Sequence, residues 1–311
     1  MRVLVTGGAG FIGSHVVENL LDSGHQVRVL DNLSTGKRQN LPLCHQDFEF
    51  QEGDVGDFET VAASVTDMDA VVHLAAVASV QASIDDPVAT HRSNFDGTLH
   101  LLESARRQRI KRFIYASSAA IYGDTESLPV AEDLIPNPLS PYAIDKLAGE
   151  YYLQYYFHKY GLATTAFRFF NIYGPRQDPS SPYSGVISIF MDRLQKGESL
   201  TLFGDGNQTR DFVYVADLAK LLCRTLILPN LAGKVLNVGT GIEHSLLQLV
   251  DILEQLSGKS IMRAHAPARI GDIVRSYAKI EQLKDAFGKP LTTSFADGLR
   301  QLMHSLGFST C

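Results

Sequence analysis

Through the first half of the chain, short apolar runs alternate with stretches in which apolar residues recur every three or four positions. Val3–Thr6, Val27–Asp31, Phe48–Gln51, Ala70–Ala75, Arg112–Ser117 and Thr165–Phe170 read as strands, several too uniformly apolar to have a wet face. Between the first two, Ser14–Ser23 places Val16, Val17, Leu20 and Leu21 on one face of a helix that Gly24 is positioned to cap. Repeated strand–helix–strand units of this kind predict an α/β chain built on a Rossmann-type, doubly wound parallel sheet covered on both faces. After Asn171 the pattern changes. Gly174–Pro182 is too rich in Pro, Ser and Gly to form an element. Beyond it, Val186–Lys196, Asp217–Ile227 and Leu246–Ser257 read as helices, with Leu200–Phe203 and Phe212–Val215 as short strands. The expected division is a first domain over 1–170 and a smaller C-terminal α/β substrate domain over 171–311, with room for segments to interleave.

Composition narrows the class. Of 311 residues, 28 are Lys or Arg and 34 are Asp or Glu, a formal net charge of −6, which argues against a dedicated nucleic-acid surface. Cys44, Cys223 and Cys311 are an odd number and far apart, which fits a reducing compartment and no structural zinc. The ten histidines show no ligand spacing, so no metal is expected. No apolar run approaches the roughly 18–20 residues of a membrane span, and the chain enters a strand at once, so a cytoplasmic location is expected.

Two segments carry candidate chemistry. In Thr6-Gly7-Gly8-Ala9-Gly10-Phe11-Ile12-Gly13, the glycines lie between a strand and a helix, where backbone N–H groups and the helix N-terminus can meet a pyrophosphate. Asp31 ends the next strand, 18 residues past Gly13, and would accept hydrogen bonds from an adenosine ribose, favouring NAD over NADP. Lys37 and Arg38 are near enough to face a 2′-phosphate instead. In Tyr142-Ala143-Ile144-Asp145-Lys146, Ser140 caps and Pro141 opens a helix, so Tyr142 and Lys146 face the same way. The lysine is expected to lower the pKa of the phenol and make it a general base. Ser117 and Ser118 end a strand at the edge where ligands of doubly wound sheets bind.

The glycine loop, the Ser118 segment and Tyr142-x-x-x-Lys146 together resemble the extended short-chain dehydrogenase/reductases, specifically the nucleotide-sugar 4-epimerases. The likeness continues through Gly53-Asp54-Val55, His73-Leu74-Ala75-Ala76, Asn94-Phe95-Asp96-Gly97-Thr98, Arg168–Gly174, Arg210–Val215 and Asn237-Val238-Gly239. It implies NAD held by Gly7, Gly10, Phe11, Ile12, Gly13, Asp31, Asn32, Asp54, Val55, Leu74, Ala75, Ala76, Asn94, Tyr142, Lys146 and Phe170. It implies a UDP-sugar contacted by Ser118, Tyr142, Asn171, Arg210, Arg269, Asp272 and Ser276, the two arginines clamping the diphosphate. Tyr142 would act as base, Ser118 would bond O4, and Lys146 would hold the nicotinamide ribose. Ala119 and Ala120 stand where relatives that dehydrate the sugar carry an Asp-Glu pair, which disfavours that reaction. Ser276, seven residues after Arg269, falls at the wall near C2 of the hexose, where a small side chain leaves space for an N-acetyl group; a register one residue later would put Tyr277 there. UDP-GlcNAc/UDP-GalNAc interconversion, with UDP-Glc/UDP-Gal also accepted, is therefore expected. A strict UDP-glucose epimerase, a nucleotide-sugar 4-ketoreductase and a non-catalytic NAD-binding regulator are the alternatives, and the nucleotide stays open between uridine and thymidine. The aromatic run Tyr151–Phe157, with the family likeness, points to a homodimer through this helix and the one around Gly97–Arg107.

Overall fold

The computed structural model describes residues 1–179, 185–268, 273–289 and 291–308. In chain order the strands are β1 (Arg2–Thr6), β2 (Gln26–Asp31), β3 (Phe48–Glu52), β4 (Ala70–His73), β5 (Arg112–Ser118), β6 (Thr164–Phe169), β7 (Asn171–Tyr173), β8 (Leu200–Phe203), β9 (Thr209–Tyr214), β10 (Lys234–Val238), β11 (Glu243–Ser245), β12 (Arg263–Ala266) and β13 (Arg275–Ser276). The helices are α1 (Phe11–Asp22), α2 (Phe58–Val65), α3 (Val80–Asp85), α4 (Pro87–His91), α5 (Gly97–Arg107), α6 (Pro141–Tyr160), α7 (Val186–Lys196), α8 (Val215–Thr225), α9 (Leu246–Ser257), α10 (Glu281–Phe287) and α11 (Phe295–Ser305). A π-helical turn, Arg92–Asp96, joins α4 to α5.

The residues form two compact units: 1–123, 135–169 and 218–236 make the first, and 124–134, 170–217 and 237–311 the second. The first is built on a seven-stranded sheet in the order β10-β6-β5-β4-β1-β2-β3, with every pair from β3 to β6 parallel. The order reverses between β1 and β4, so the crevice at a doubly wound sheet's switch point opens at Thr6-Gly7 and His73-Leu74. Val3, Leu4, Val5, Val71, Val72, Phe113 and Tyr115 are buried, as the apolar runs require. The strand expected over Ala70–Ala75 ends two residues early, because the N–H groups of Leu74 and Ala75 turn to Thr6 Oγ1.

In the second unit β9 is central, antiparallel to β11 and parallel to both β13 and β7. Its core gathers Tyr173, Phe190, Met191, Phe212, Leu249, Leu253, Phe295 and Leu299. The parallel pair β8–β12 is separate.

Candidate active site

The loop after β1 is set by backbone geometry that only glycine satisfies. Gly7 has φ near +70°, and a Cβ there would lie 2.7 Å from the Ala75 nitrogen. A Cβ on Gly13 would lie 2.1 Å from the Gly7 oxygen, so the first turn of α1 sits directly against the loop. Gly10 is the N-cap of α1, with no side-chain cap and no acidic residue in the first turn, which contains Phe11 and Ile12. The helix N-terminus therefore presents N–H groups and positive partial charge with no side chain to neutralise them.

Asp31 is buried at the end of β2, one oxygen accepting from Ala9 N at 2.9 Å and the other from Leu33 N at 2.8 Å. Burial raises its pKa while those two N–H groups pull it down. Asn32 donates to Asp54, whose other oxygen accepts from Gly56 N. Val55 is buried against Gly97, where a Cβ would come within 2.7 Å of it. Arg38 is paired with Glu52 at 2.7 Å and lies over the Phe50 ring.

On the other side of the crevice, a hydrogen-bonded chain fixes a buried histidine. Thr6 Oγ1 is 2.8 Å from His73 Nδ1, and His73 Nε2 is 3.0 Å from Thr98 Oγ1. The Thr98 hydroxyl donates to Asn94 O, so it must accept from Nε2–H, and Thr6 then donates to Nδ1. Burial and the charge of Lys146 hold the His73 pKa well below its ordinary value, in keeping with this neutral tautomer. Asn94, in the π-helical turn, accepts from Val77 N and donates to Val77 O, clamping the segment that follows Leu74, Ala75 and Ala76.

At the end of β5, Ser118 caps a short 3-10 turn by accepting from Ala120 N. Ser140 caps α6 by accepting from Ala143 N, with Pro141 in the first turn. Tyr142 and Lys146 are both buried on the α6 face that meets β5. Lys146 Nζ donates to Ala116 O at 2.8 Å and lies 5.9 Å from the Tyr142 ring centroid. One expectation is reversed here. Burial raises the Tyr142 pKa and only Ser118's hydrogen bond opposes it; Lys146, itself lowered to about 8, has lost its proton before the phenol titrates. The larger effect is on the lysine itself: burial lowers it to about 8, against the pull of Asp145 and Glu150.

In the second unit, Phe170 is buried and donates its N–H to Val238 O, and Asn171 donates to Asp211 O. Arg210 donates to the Thr209 and Ile273 carbonyls. In register, Ser276 of β13 stands beside Arg210 on one side and His244 of β11 on the other. Tyr277 follows the end of β13; it lies beneath the Arg275 guanidinium and lines a cavity of about 950 Å³ with Phe212, His244 and Leu283. Arg269 and Asp272 lie outside the described residues.

Sequence reasoning passed over His244, which reaches Arg210 only through an antiparallel register, and Asp211, which is buried and accepts from Thr240, Gly241 and Ala278. It also passed over His73 and Thr98 as structural parts of the crevice. The uncapped α1 N-terminus, the glycine contacts and Asp31 fit a dinucleotide, with Gly7, Gly10, Gly13 and Asp31 as its holders. No group of three or more metal-ligating side chains stands together among the described residues, and no helix among them is long and apolar enough to cross a membrane.

Comparison with known proteins accords with this geometry. Residues 3–239 match the NAD dependent epimerase/dehydratase family. A putative UDP-glucose 4-epimerase of Methanocaldococcus jannaschii is 39% identical over 304 residues, 97% of this chain and 97% of its own. The structure of a Thermus thermophilus UDP-glucose 4-epimerase in complex with NAD is 41% identical with a TM-score of 0.90, covering 99% of each chain. That of a UDP-N-acetylglucosamine 4-epimerase from Methanobrevibacter ruminantium, in complex with UDP-N-acetylmuramic acid, is 37% identical with a TM-score of 0.91, covering 98% of this chain and 97% of that one. The chain belongs to the NAD dependent epimerase/dehydratase family, as an NAD-using enzyme of the nucleotide-sugar 4-epimerase kind.

Proposed function

We propose that the enzyme inverts C4 of UDP-hexoses and accepts N-acetylated hexoses, UDP-GlcNAc and UDP-GalNAc, together with UDP-glucose and UDP-galactose. The observation that carries the acetamido preference is Ser276 beside Arg210: a diphosphate held by the guanidinium brings the sugar to a wall made by a small side chain. The similarity to the Methanobrevibacter enzyme supports the same reading.

In this reading Tyr142 takes the proton of the 4-hydroxyl, and Ser118 bonds O4 and carries the proton to and from the phenol. Lys146, held by Ala116, orients the nicotinamide ribose and keeps positive charge beside the phenol. Gly7, Gly10, Gly13 and Asp31 would hold NAD, which would supply a hydride acceptor for C4 and, once reduced, the donor for the other face of the sugar. Ala119 and Ala120 supply no acid or base, which leaves the neighbouring C5 and C6 bonds untouched. A homodimer and a cytoplasmic location belong to the same proposal. The first is supported by Ile144, Tyr151 and Tyr155, exposed in one stripe of α6, and by Ile84 and Val88 on α3 and α4; the second by the free Cys44 and Cys223.

The test is incubation of purified enzyme, without added cofactor, with UDP-GlcNAc and separately with UDP-glucose, resolving the 4-epimers by NMR. Both are expected to be converted. Conversion of UDP-glucose alone refutes the acetamido argument, and conversion of neither refutes both proposed substrates and turns the assay to other nucleotide sugars.

A further inference from the structure

The α6 face that carries Tyr142 and Lys146 continues one turn further to Glu150, which is buried and not exposed to substrate or solvent. Its carboxylate accepts from Ser117 Oγ at 2.5 Å, from Arg168 Nε at 3.0 Å and from Arg168 Nη2 at 2.8 Å. Arg168, equally buried on β6, donates its remaining nitrogen Nη1 to the Tyr122 hydroxyl at 2.7 Å. One carboxylate thus ties together the helix of the Tyr–Lys pair, the strand end that bears Ser118, the neighbouring strand and the turn after Ser118. The helix and strand also approach closely: a Cβ on Gly149 would come within 2.5 Å of the Tyr115 hydroxyl.

An isolated buried ion pair does not stabilise a fold more than apolar packing of the same volume. Stability alone is therefore a weak reason to place a carboxylate and a guanidinium under β5. What this pair adds is position and charge. We propose that Glu150, held by Arg168, is a positioning residue for the reaction: through Ser117 it fixes Ser118 relative to Tyr142, and its negative charge keeps Lys146 in the ammonium form. The groups that face Lys146 from every packed element agree. His73 on β4 is neutral, Tyr115 on β5 presents its ring at 4.9 Å, Ala116 offers a carbonyl, and among the described residues the carboxylates whose charge acts on the ammonium are Asp145 and Glu150. Asp145 is shared with His91 at 2.7 Å. Glu150 is shared with Arg168, so it offsets the burial of Lys146 only in part, and the lysine stays below its ordinary range.

The inference rests on Tyr142 and Lys146 as the working pair, so Tyr142→Phe is assayed in parallel; inversion that survives in that variant is the failure of the functional reading and not of this one. With the holoenzyme and whichever UDP-sugar it converts, Glu150→Gln is expected to lower kcat about tenfold or more with KM within about twofold, since the loss is one of alignment. It is also expected to move the alkaline limb of the kcat profile to lower pH, because the ammonium loses an anion. Ser117→Ala keeps the ion pair and removes only the link to the strand; it is expected to lower kcat several-fold and leave the alkaline limb in place. A Glu150→Gln enzyme whose profile superposes on that of the parent overturns the charge role, even when kcat falls. Unchanged kcat in Ser117→Ala overturns the alignment role, and that variant decides the alignment role if Glu150→Gln does not fold.

Discussion

Lys146 is a cation that the fold pays to bury, and that cost can be measured separately from catalysis. Its pKa falls from an ordinary 10.5 to about 8 in the folded chain, mainly through desolvation. Between those values the unfolded chain binds more protons than the folded one, so stability contributed by this group rises with pH through that window and is flat below about pH 8, where both states hold the proton. Integrating the difference from pH 7 to 9.5 gives a gain of about 2 kcal/mol for enzyme stripped of NAD. Other lysines and tyrosines titrate over the same range, so the comparison is with Lys146→Met, in which they remain. Unfolding by urea or heat, followed at several pH values for both proteins, should show the parent gaining about 2 kcal/mol on the variant from neutral to alkaline pH, a few degrees in Tm. Parallel profiles would show that the lysine is not charged and desolvated at neutral pH, and the account of Lys146 as a buried ammonium on the Ala116 carbonyl would fall.

Other substitutions test the remaining parts. Tyr142→Phe should cost about 10²–10⁴-fold in kcat with the NAD content of the purified protein unchanged, read from the absorbance of released cofactor. Gly13→Ala places a methyl 2.1 Å from the Gly7 oxygen; it should lower stability by about 1–3 kcal/mol and strip the protein of NAD, checked by thermal unfolding and cofactor content. Ser276→Tyr should reduce kcat/KM for UDP-GlcNAc by at least about tenfold while sparing UDP-glucose, measured with both sugars in one NMR assay.

Several features of this fold can be read in sequence because their spacing is their mechanism. Tyr142 and Lys146 lie one helical turn apart, Ser140 and Pro141 start that helix where they should, and the Gly7–Gly13 loop joins a strand to a helix as its glycines imply. Contacts that depend on register are not legible in this way. Glu150 and Arg168 meet from a helix and a strand whose facing residues no local period specifies. His244 and Ser276 flank Arg210 through strands of three and two residues, too short to show alternation. Lys234–Val238, the seventh strand, is not legible because an exposed lysine opens it and a buried asparagine, Asn237, interrupts it, leaving Val235-Leu236 as its longest apolar run. The expected effect of Lys146 on Tyr142 fails for a different reason: spacing gives proximity, but the direction of the Tyr142 shift is set by burial, which the sequence does not show.

The π-helical turn at Arg92–Asp96 bears on how this segment tolerates change. A π turn accommodates one residue more than an α-helical turn, and it is this surplus that brings the Asn94 amide back onto both backbone groups of Val77. Removing one residue, Ser93 for example, would let the segment relax into continuous α-helix and rotate Asn94 by about 100° relative to one of its flanks. Substitutions on the exposed side of this stretch leave that geometry intact, whereas a single-residue deletion, harmless in a surface loop, would unfasten the crevice wall. From Pro87 to Arg107 the conserved quantity is therefore expected to be the residue count.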